Sequence, residues 1–200
     1  MDEQKSQRRE HILGVAEKLF QHYGFAKTTV ADIAREAQVG VGTVYLEFNS
    51  KAAIASELSM RRHDCVLSAM RQAAYSDGSF ADRLLRMFSV KLERLAEFAD
   101  SGPHGQELIR GACRATDKAH SGFREAQERL FAEFLQAGAA AGEFEKVEPR
   151  TTARVLLSVL HTLASPSNQG LDRAWVDETM RAEIGAACDL VLRGLLKRNE

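Results

Sequence analysis

Two hundred residues, 44% hydrophobic and 28% charged, make a chain long enough for one large or two small buried cores. A formal net charge of -1 lacks the basic balance that announces many nucleic-acid binders. No apolar run reaches the roughly 20 residues that span a bilayer, and the charged start has no signal-peptide core, so a cytoplasmic protein without membrane contact is expected.

Residues 1 to 7 are polar and are expected to fray. The first helix is predicted from about Arg8 to Tyr23, with Ile12, Val15, Ala16, Leu19 and Phe20 on one face and Gly24 ending it. From Thr28 to Lys51 the chain reads as two short helices joined by a tight turn. Thr29 caps the first of them, and Asp32 three residues on completes a capping box. Val30, Ile33, Ala34 and Ala37 form its apolar side. After a break at Gln38 to Gly40 the second helix begins, with Gly40 at the cap and Val39 and Val44 spaced as a hydrophobic staple. With Val44 and Phe48 inward, steps of roughly 100° put Gly42 and Leu46 opposite, Thr43 and Tyr45 on the flanks, and Val41 and Glu47 at the boundary.

Such a face suits a DNA major groove. Gly42 has no side chain to hold the backbone off a phosphate, Thr43 and Tyr45 offer hydroxyls to phosphate oxygens, and Leu46 can meet a thymine methyl. Ser50 or Asn49 caps the next helix, whose free amides with Lys51 form an expected anion site. Charge is balanced even here: Lys5, Arg8, Arg9, Lys18, Lys27, Arg35 and Lys51 stand against Asp2, Glu3, Glu10, Glu17, Asp32, Glu36 and Glu47. The expectation is that Lys27, Lys51 and the Arg8-Arg9 pair face phosphate while the acids at 2, 3, 10 and 17 face solvent. A shallow salt dependence of DNA binding would follow.

Residues 12 to 58 resemble the DNA-binding domain of the TetR family of bacterial transcriptional regulators. Ile12, Ala16, Leu19, Phe20, Tyr23-Gly24-Phe25, Thr28-Thr29-Val30, Ile33-Ala34, Ala37, Val39, Gly42-Thr43-Val44-Tyr45, Phe48 and Ser50-Lys51 carry the likeness. Gly40 departs from it where a capping Ser is usual, and Glu47 where His or Tyr is common. The resemblance implies an all-α fold of about nine helices. An N-terminal three-helix helix-turn-helix domain, residues 1–50, would precede a C-terminal effector-binding and dimerisation domain, residues 51–200. It places double-stranded DNA against Thr28, Thr29, Val41, Gly42, Thr43, Tyr45, Leu46 and Lys51.

Further along, a helix from Ser50 to about Ala74 is predicted to carry Ile54, Leu58, Cys65, Val66, Ala69, Met70 and Ala73 on its buried face. Ser76 to Ser79 breaks the chain, and Ser79 with Asp82 starts a helix with the face Leu84, Leu85, Phe88, Leu92, Leu95 and Ala99. After a loop at 100–105 come a short helix around Leu108, Ile109, Ala112 and Cys113, and a longer one from near Ser121-Gly122, ended by the alanines and glycines of 137–142. Pro149 opens a helix covered on more than one side by Val155, Leu156, Leu157, Val159, Leu160 and Leu163. The last helix bears Met180, Ile184, Ala187, Val191, Leu192, Leu195 and Leu196. These two broad apolar helices exceed what one small core needs, so a homodimer through Val155, Val159, Leu163, Ile184, Val191 and Leu195 is expected, as in TetR-like regulators. Such a pair reads an inverted repeat.

The resemblance also implies a pocket for a small-molecule effector. Met87, Phe88, Cys113, Phe123, Phe131 and Phe134 are its candidate lining, with His161 and Thr162 as polar handles, although for each taken separately core packing is the better reading. Effector binding would tilt the helix from Ser50 to Ala74 and release DNA, through a coupling of about 1 to 3 kcal/mol. The three cysteines, Cys65, Cys113 and Cys188, have no zinc spacing; reduced, mostly buried thiols are expected, and no metal or cofactor. Two other classes compete. An enzyme is disfavoured because G-x-S-x-G, H-E-x-x-H and phosphate-loop motifs are missing, and the single Asp117-x-x-His120 lacks the second copy of a di-metal bundle. A TetR-like scaffold that binds a small molecule or protein without reading DNA is favoured by the balanced charge, Gly40 and Glu47.

Overall fold

The computed structural model describes residues 2–105, 117–163, 186 and 190–196. These residues are helical throughout, apart from turns and one isolated bridge between Phe144 and Leu196. Seven helices follow in order: α1 Asp2–Tyr23, α2 Val30–Glu36, α3 Val41–Glu47, α4 Lys51–Ala74, α5 Phe80–Ala99, α6 Asp117–Ala140 and α7 Pro149–Leu163. The helix expected around Leu108 to Cys113 and most of the last helix lie outside the described residues, although 190–195 are helical. No helix among the described residues is long and apolar enough to cross a membrane.

Two boundaries differ from expectation. α1 is already helical from Asp2 and not only from near Arg8, and from Arg8 on it is tied to the rest of its unit, Arg8 binding the Glu47 carboxylate and Arg9 that of Glu57. Likewise α6 is already helical at Asp117, ahead of Ser121-Gly122. The Ser121 hydroxyl donates back to the Lys118 carbonyl at 3.1 Å instead of capping.

The described residues pack as two compact units. The first comprises Met1–Cys65 and Leu95–Phe123. Its core joins Ile12, Ala16 and Phe20 of α1, Ile33 and Ala34 of α2, Val44 of α3, and Ile54 and Leu58 of α4. After α5 the loop closes on α1. His104 N–H donates to the Gln21 carbonyl at 2.9 Å, and Gly102, at φ +146°, leaves room where a Cβ would lie 2.7 Å from that oxygen. Arg62, only 3% exposed, donates to the Gly105 carbonyl at 2.6 Å and pairs with Glu17 at 2.9 Å. The stripe of α4 buried around this side chain runs through Leu58, Arg62, His63 and Val66. Cys65 therefore lies outside the stripe and is exposed, a correction to the expectation of mostly buried thiols; Cys113 and Cys188 fall outside the described residues.

The second unit comprises Val66–Arg94 and Arg124–Glu200. Within it α5 and α6 run antiparallel, since Phe80 meets Phe134 at 5.2 Å, Phe88 stacks on Phe131 at 5.5 Å, and Lys91 reaches Gln127. The buried stripe of α5 is Leu84, Met87, Phe88 and Lys91, while Leu85, Leu92 and Leu95 are only half-buried. This turns the helix away from the face expected from the leucines and brings a lysine inside. Ser79 caps α5 as expected, its Oγ accepting from Asp82 N–H at 3.1 Å, and the Glu143 carboxylate accepts from Phe80 N–H at 2.8 Å. Gly138 lets Phe144 fold back onto α6, where a Cβ would sit 2.4 Å from the ring.

Candidate nucleic-acid interface

The sequence of α2 and the turn after it sets the pose of α3. At Thr29 the capping box is complete: Oγ1 accepts from Asp32 N–H at 3.1 Å, and Thr29 N–H donates to Asp32 Oδ2 at 3.0 Å. The Thr29 hydroxyl, donating to Asp32 Oδ2 at 2.6 Å, and then the Thr29 N–H, with Arg35 adding a smaller share, hold the Asp32 carboxyl below its usual range. The chain then reverses at Gln38, whose φ of +55° is left-handed, and Val39 N–H closes the turn on the Ala34 carbonyl at 2.9 Å. Gly40 caps α3 without a side-chain hydrogen bond. Val44 and Phe48 enter the core with Val39 packed against it, so α3 is anchored along one side.

Opposite that side the helix is open. Tyr45 is 52% exposed, Leu46 78% and Val41 44%; Gly42 is exposed with nothing near its missing Cβ, and Thr43 is half-buried. Glu47 behaves differently from its neighbours. It is buried, Arg8 Nε donates to its Oε1 at 2.8 Å, and Arg9 donates to its backbone carbonyl, with the Arg9 guanidinium 4.1 Å over the Phe48 ring. The boundary position expected for Glu47 is thus corrected: its carboxylate faces α1.

Several basic groups expected to face phosphate are engaged inside the chain. Arg8 and Arg9 bind Glu47 and Glu57, and Lys51 Nζ donates to the carbonyls of Phe25 and Thr28, each at 2.7 Å, while lying 4.3 Å over the Phe25 ring. The acids are occupied too: Glu10 meets Arg61 at 2.6 Å and Glu17 meets Arg62, so neither is simply solvated. Lys27 is exposed. Thr28 is 2% exposed and its hydroxyl donates to the Gly24 carbonyl at 2.9 Å, while Thr29 is exposed. Ser50, of the two candidate caps, accepts from Ala53 N–H at 3.0 Å to start α4.

The candidate effector residues fall into different environments. Met87, Phe88, Phe131 and Phe134 are all buried in the second unit, and Phe88 and Phe131 touch. Phe123 belongs to the first unit, where it stacks on His63 at 4.3 Å. Cys113 and the side chains of His161 and Thr162 lie outside the described residues. Of the expected dimer contacts, Val155 is 57% and Val159 37% exposed on α7, Val191 is half-buried, and Leu195 is buried within its own unit; Ile184 and the Leu163 side chain are outside the description. Sequence reasoning passed over Lys91 and Gln127, a buried polar pair on facing helices. The signal was present: Lys91 follows Phe88 by three residues and Met87 by four, the spacing of one helix face.

Comparison with known proteins agrees with this arrangement. Residues 12–58 match the family model for bacterial regulatory proteins of the tetR family. Over 161 residues, 75% of this chain and 74% of the relative, the sequence is 30% identical to the uncharacterized HTH-type transcriptional regulator YfiR of Bacillus subtilis. It is 28% identical over 147 residues, 70% of this chain and 69% of the relative, to the HTH-type transcriptional repressor KstR2 of Mycolicibacterium smegmatis. Among solved structures, a transcriptional regulator from Cytophaga hutchinsonii superposes with a TM-score of 0.76 at 18% identity, covering 94% of this chain and 98% of that one. The fatty acid degradation regulator FadR of Bacillus halodurans gives 0.69 at 20% identity, covering 96% and 97%. With its helix-turn-helix unit and its likeness to a regulator over three quarters of its length, the chain belongs to the TetR family of DNA-binding transcriptional regulators.

Proposed function

We propose that the protein is a ligand-responsive repressor that binds an inverted-repeat operator as a homodimer and is released by a small-molecule effector. In this reading residues 1–50 read DNA and residues 51–200 hold the effector and the partner copy. The observation that carries it is the open face of α3, with Val41, Gly42, Thr43, Tyr45 and Leu46 presented by a helix whose other side is locked into a core. Exposed side chains on a rigid helix meet the requirement for positioning against base edges and phosphates. Thr29 stands at the rim of this face. Thr28 and Lys51 act at one remove, fixing the turn between α1 and α2 through their carbonyl contacts.

Dimerisation is supported by the outward Val155 and Val159 on a helix whose Ala153 and Leu156 already fill its own core. A single short helix reads too few base pairs to find one genomic site, and a two-fold pair doubles the site. Effector control requires differential binding to two states. Helix α4 is the candidate carrier, because residues up to Cys65 belong to the first unit and those from Val66 to the second.

A gel shift with the DNA upstream of the protein's own gene tests the reading. Specific retardation by wild type is expected, with Tyr45→Ala losing it at an unchanged melting temperature. Lys51→Ala is expected to lose both retardation and heat stability, since it unpins two partly buried carbonyls. Equal, weak binding of wild type to operator and random DNA would sink the repressor and favour a scaffold that recognises a protein or small molecule instead. One observation does speak for that second reading: Arg8, Arg9, Lys51, Arg61 and Arg62 are all engaged within the chain.

A further inference from the structure

Lys91 is a buried cation on the apolar stripe of α5, 7% exposed and one turn beyond Met87 and Phe88. Among the described residues its ammonium has a single polar partner, Gln127 Oε1 at 3.4 Å. Gln127 is itself 3% exposed, and its Nε2 is directed to the Met70 sulfur at 3.4 Å. An ammonium has three protons to donate, and one distant neutral oxygen satisfies one of them poorly. A thioether is likewise a weak acceptor for the amide. Burial pushes Lys91 down to about 8, which still leaves it mostly protonated at neutral pH. A buried charge without a counter-ion is costly enough that native chains rarely keep one without a use.

Around this pair the unit is apolar and soft. Met70, Met87 and Phe131 have no exposure, and the stacked rings of Phe88 and Phe131 lie one turn away along both helices. Unbranched thioethers repack more readily than branched side chains, so this layer can yield to an incoming apolar body.

Resting on the effector reading above, we propose that the effector is an anion on an apolar body, whose carboxylate or phosphate is received by Lys91 and Gln127 and whose body replaces contacts within the Met and Phe layer. The anion would supply the acceptors that Lys91 lacks among the described residues and give the Gln127 amide a strong partner in place of sulfur. The polar handle then comes from α5 and α6, and not from His161 and Thr162.

The full-length protein is titrated with octanoate, octyl phosphate, octanol and octyltrimethylammonium, reading melting temperature and operator release. Wild type is expected to respond to one of the two anions at a concentration at least about tenfold lower than to octanol, the scale of one charge-assisted contact. Which anion acts separates carboxylate from phosphate. Lys91→Met is expected to erase the preference and, without ligand, to melt at or above the wild-type temperature. Gln127→Glu, which installs a counter-ion, is expected to raise the ligand-free melting temperature and abolish the anion response. A wild type that answers octanol and the anions alike keeps the effector reading and overturns the anionic one, as does Lys91→Met retaining the preference. A lower melting temperature for ligand-free Lys91→Met means that an acid of the chain already holds the ammonium, and also overturns it. A wild type that ignores all four probes overturns both readings.

Discussion

The two units place their basic groups differently. In the first, basic groups, half-exposed as Arg8 and Arg61 are or buried as Arg62 is, meet an acid or a carbonyl: Arg8 meets Glu47, Arg9 meets Glu57, Arg61 meets Glu10, Arg62 meets Glu17 and the Gly105 carbonyl, and Lys51 meets two carbonyls. In the second, packing is carried by Phe80, Phe88, Phe131, Phe134 and Phe144, and buried Lys91 has, among the described residues, only an amide beside it. Cross-helix ion pairs fix direction as well as distance, which suits a unit that must present α3 in one pose. Aromatic and thioether layers fix volume more than direction, which suits the exchange of contacts with a guest proposed above.

Removing volume from the aromatic layer is the harshest way to break this comparison. Phe131→Ala deletes a fully buried ring stacked on Phe88 and is expected to cost about 3–5 kcal/mol in chemical denaturation. A loss below about 1 kcal/mol would mean that the layer relaxes freely and that the rings are not what holds the unit.

Next in size comes pH, where the units should part at opposite ends. Lys91 is depressed from 10.5 to about 8 by burial, so between those values the unfolded chain binds more protons than the folded one. Stability from this group therefore rises as pH climbs through that window, and its full penalty is present below about 8. Glu10 runs the other way: the Arg61 hydrogen bond holds its carboxyl below the ordinary 4.5, so its contribution is present above that value and is lost as pH falls through the folded one. Because Glu10 and Arg61 are both well exposed, that acid limb should be shallow. Melting wild type and Lys91→Met at about pH 7 and about pH 10 isolates the alkaline limb. The advantage of Lys91→Met should shrink at the higher pH, and a constant gap would remove titration of Lys91 from the account.

A third, smaller effect concerns the latch between α1 and α3. Glu47→Ala releases Arg8, which is 41% exposed and can return to water, so a loss of only about 1 kcal/mol is expected. Operator affinity measured well below the melting temperature should not improve. A gain would mean that the Glu47 carboxylate does repel phosphate, against its place beneath Arg8.

How much of this could be read beforehand depended on whether a residue's role was local. The capping box at Thr29, the staple of Val39 and Val44, the open side at Gly42 and Leu46, and the caps at Ser50 and Ser79 all follow from spacing within a turn or two, and all were legible. What spacing could not supply was the partner across the fold. Glu47 and Lys51 look like groove-facing charges until Arg8 and the Phe25 and Thr28 carbonyls are brought beside them. The helical stripes depart from expectation for a related reason: apolar periodicity points Cys65 and Leu92 inward, whereas α4 buries Arg62 and His63 and exposes Cys65, and α5 buries Lys91 in preference to Leu92. A long side chain with a polar end can be core when something waits for that end, and the sequence carries no mark of what waits.

The mildest change tests whether the pose of α3 is set by backbone or by side chain. Gln38 holds a φ of +55° between α2 and α3, a region that costs a non-glycine residue roughly 1 kcal/mol, yet its side chain is exposed and only its amide, donating to the Arg35 carbonyl at 3.2 Å, serves the turn. Gly enters that region without strain but gives up more chain entropy on folding, so the two effects nearly offset. Gln38→Gly should therefore change stability by no more than about 0.5 kcal/mol and leave operator affinity unchanged. If affinity falls while stability holds, the Gln38 side chain reaches the DNA and the turn belongs to the reading face; if both hold, the ladder of caps and core contacts alone aims the helix.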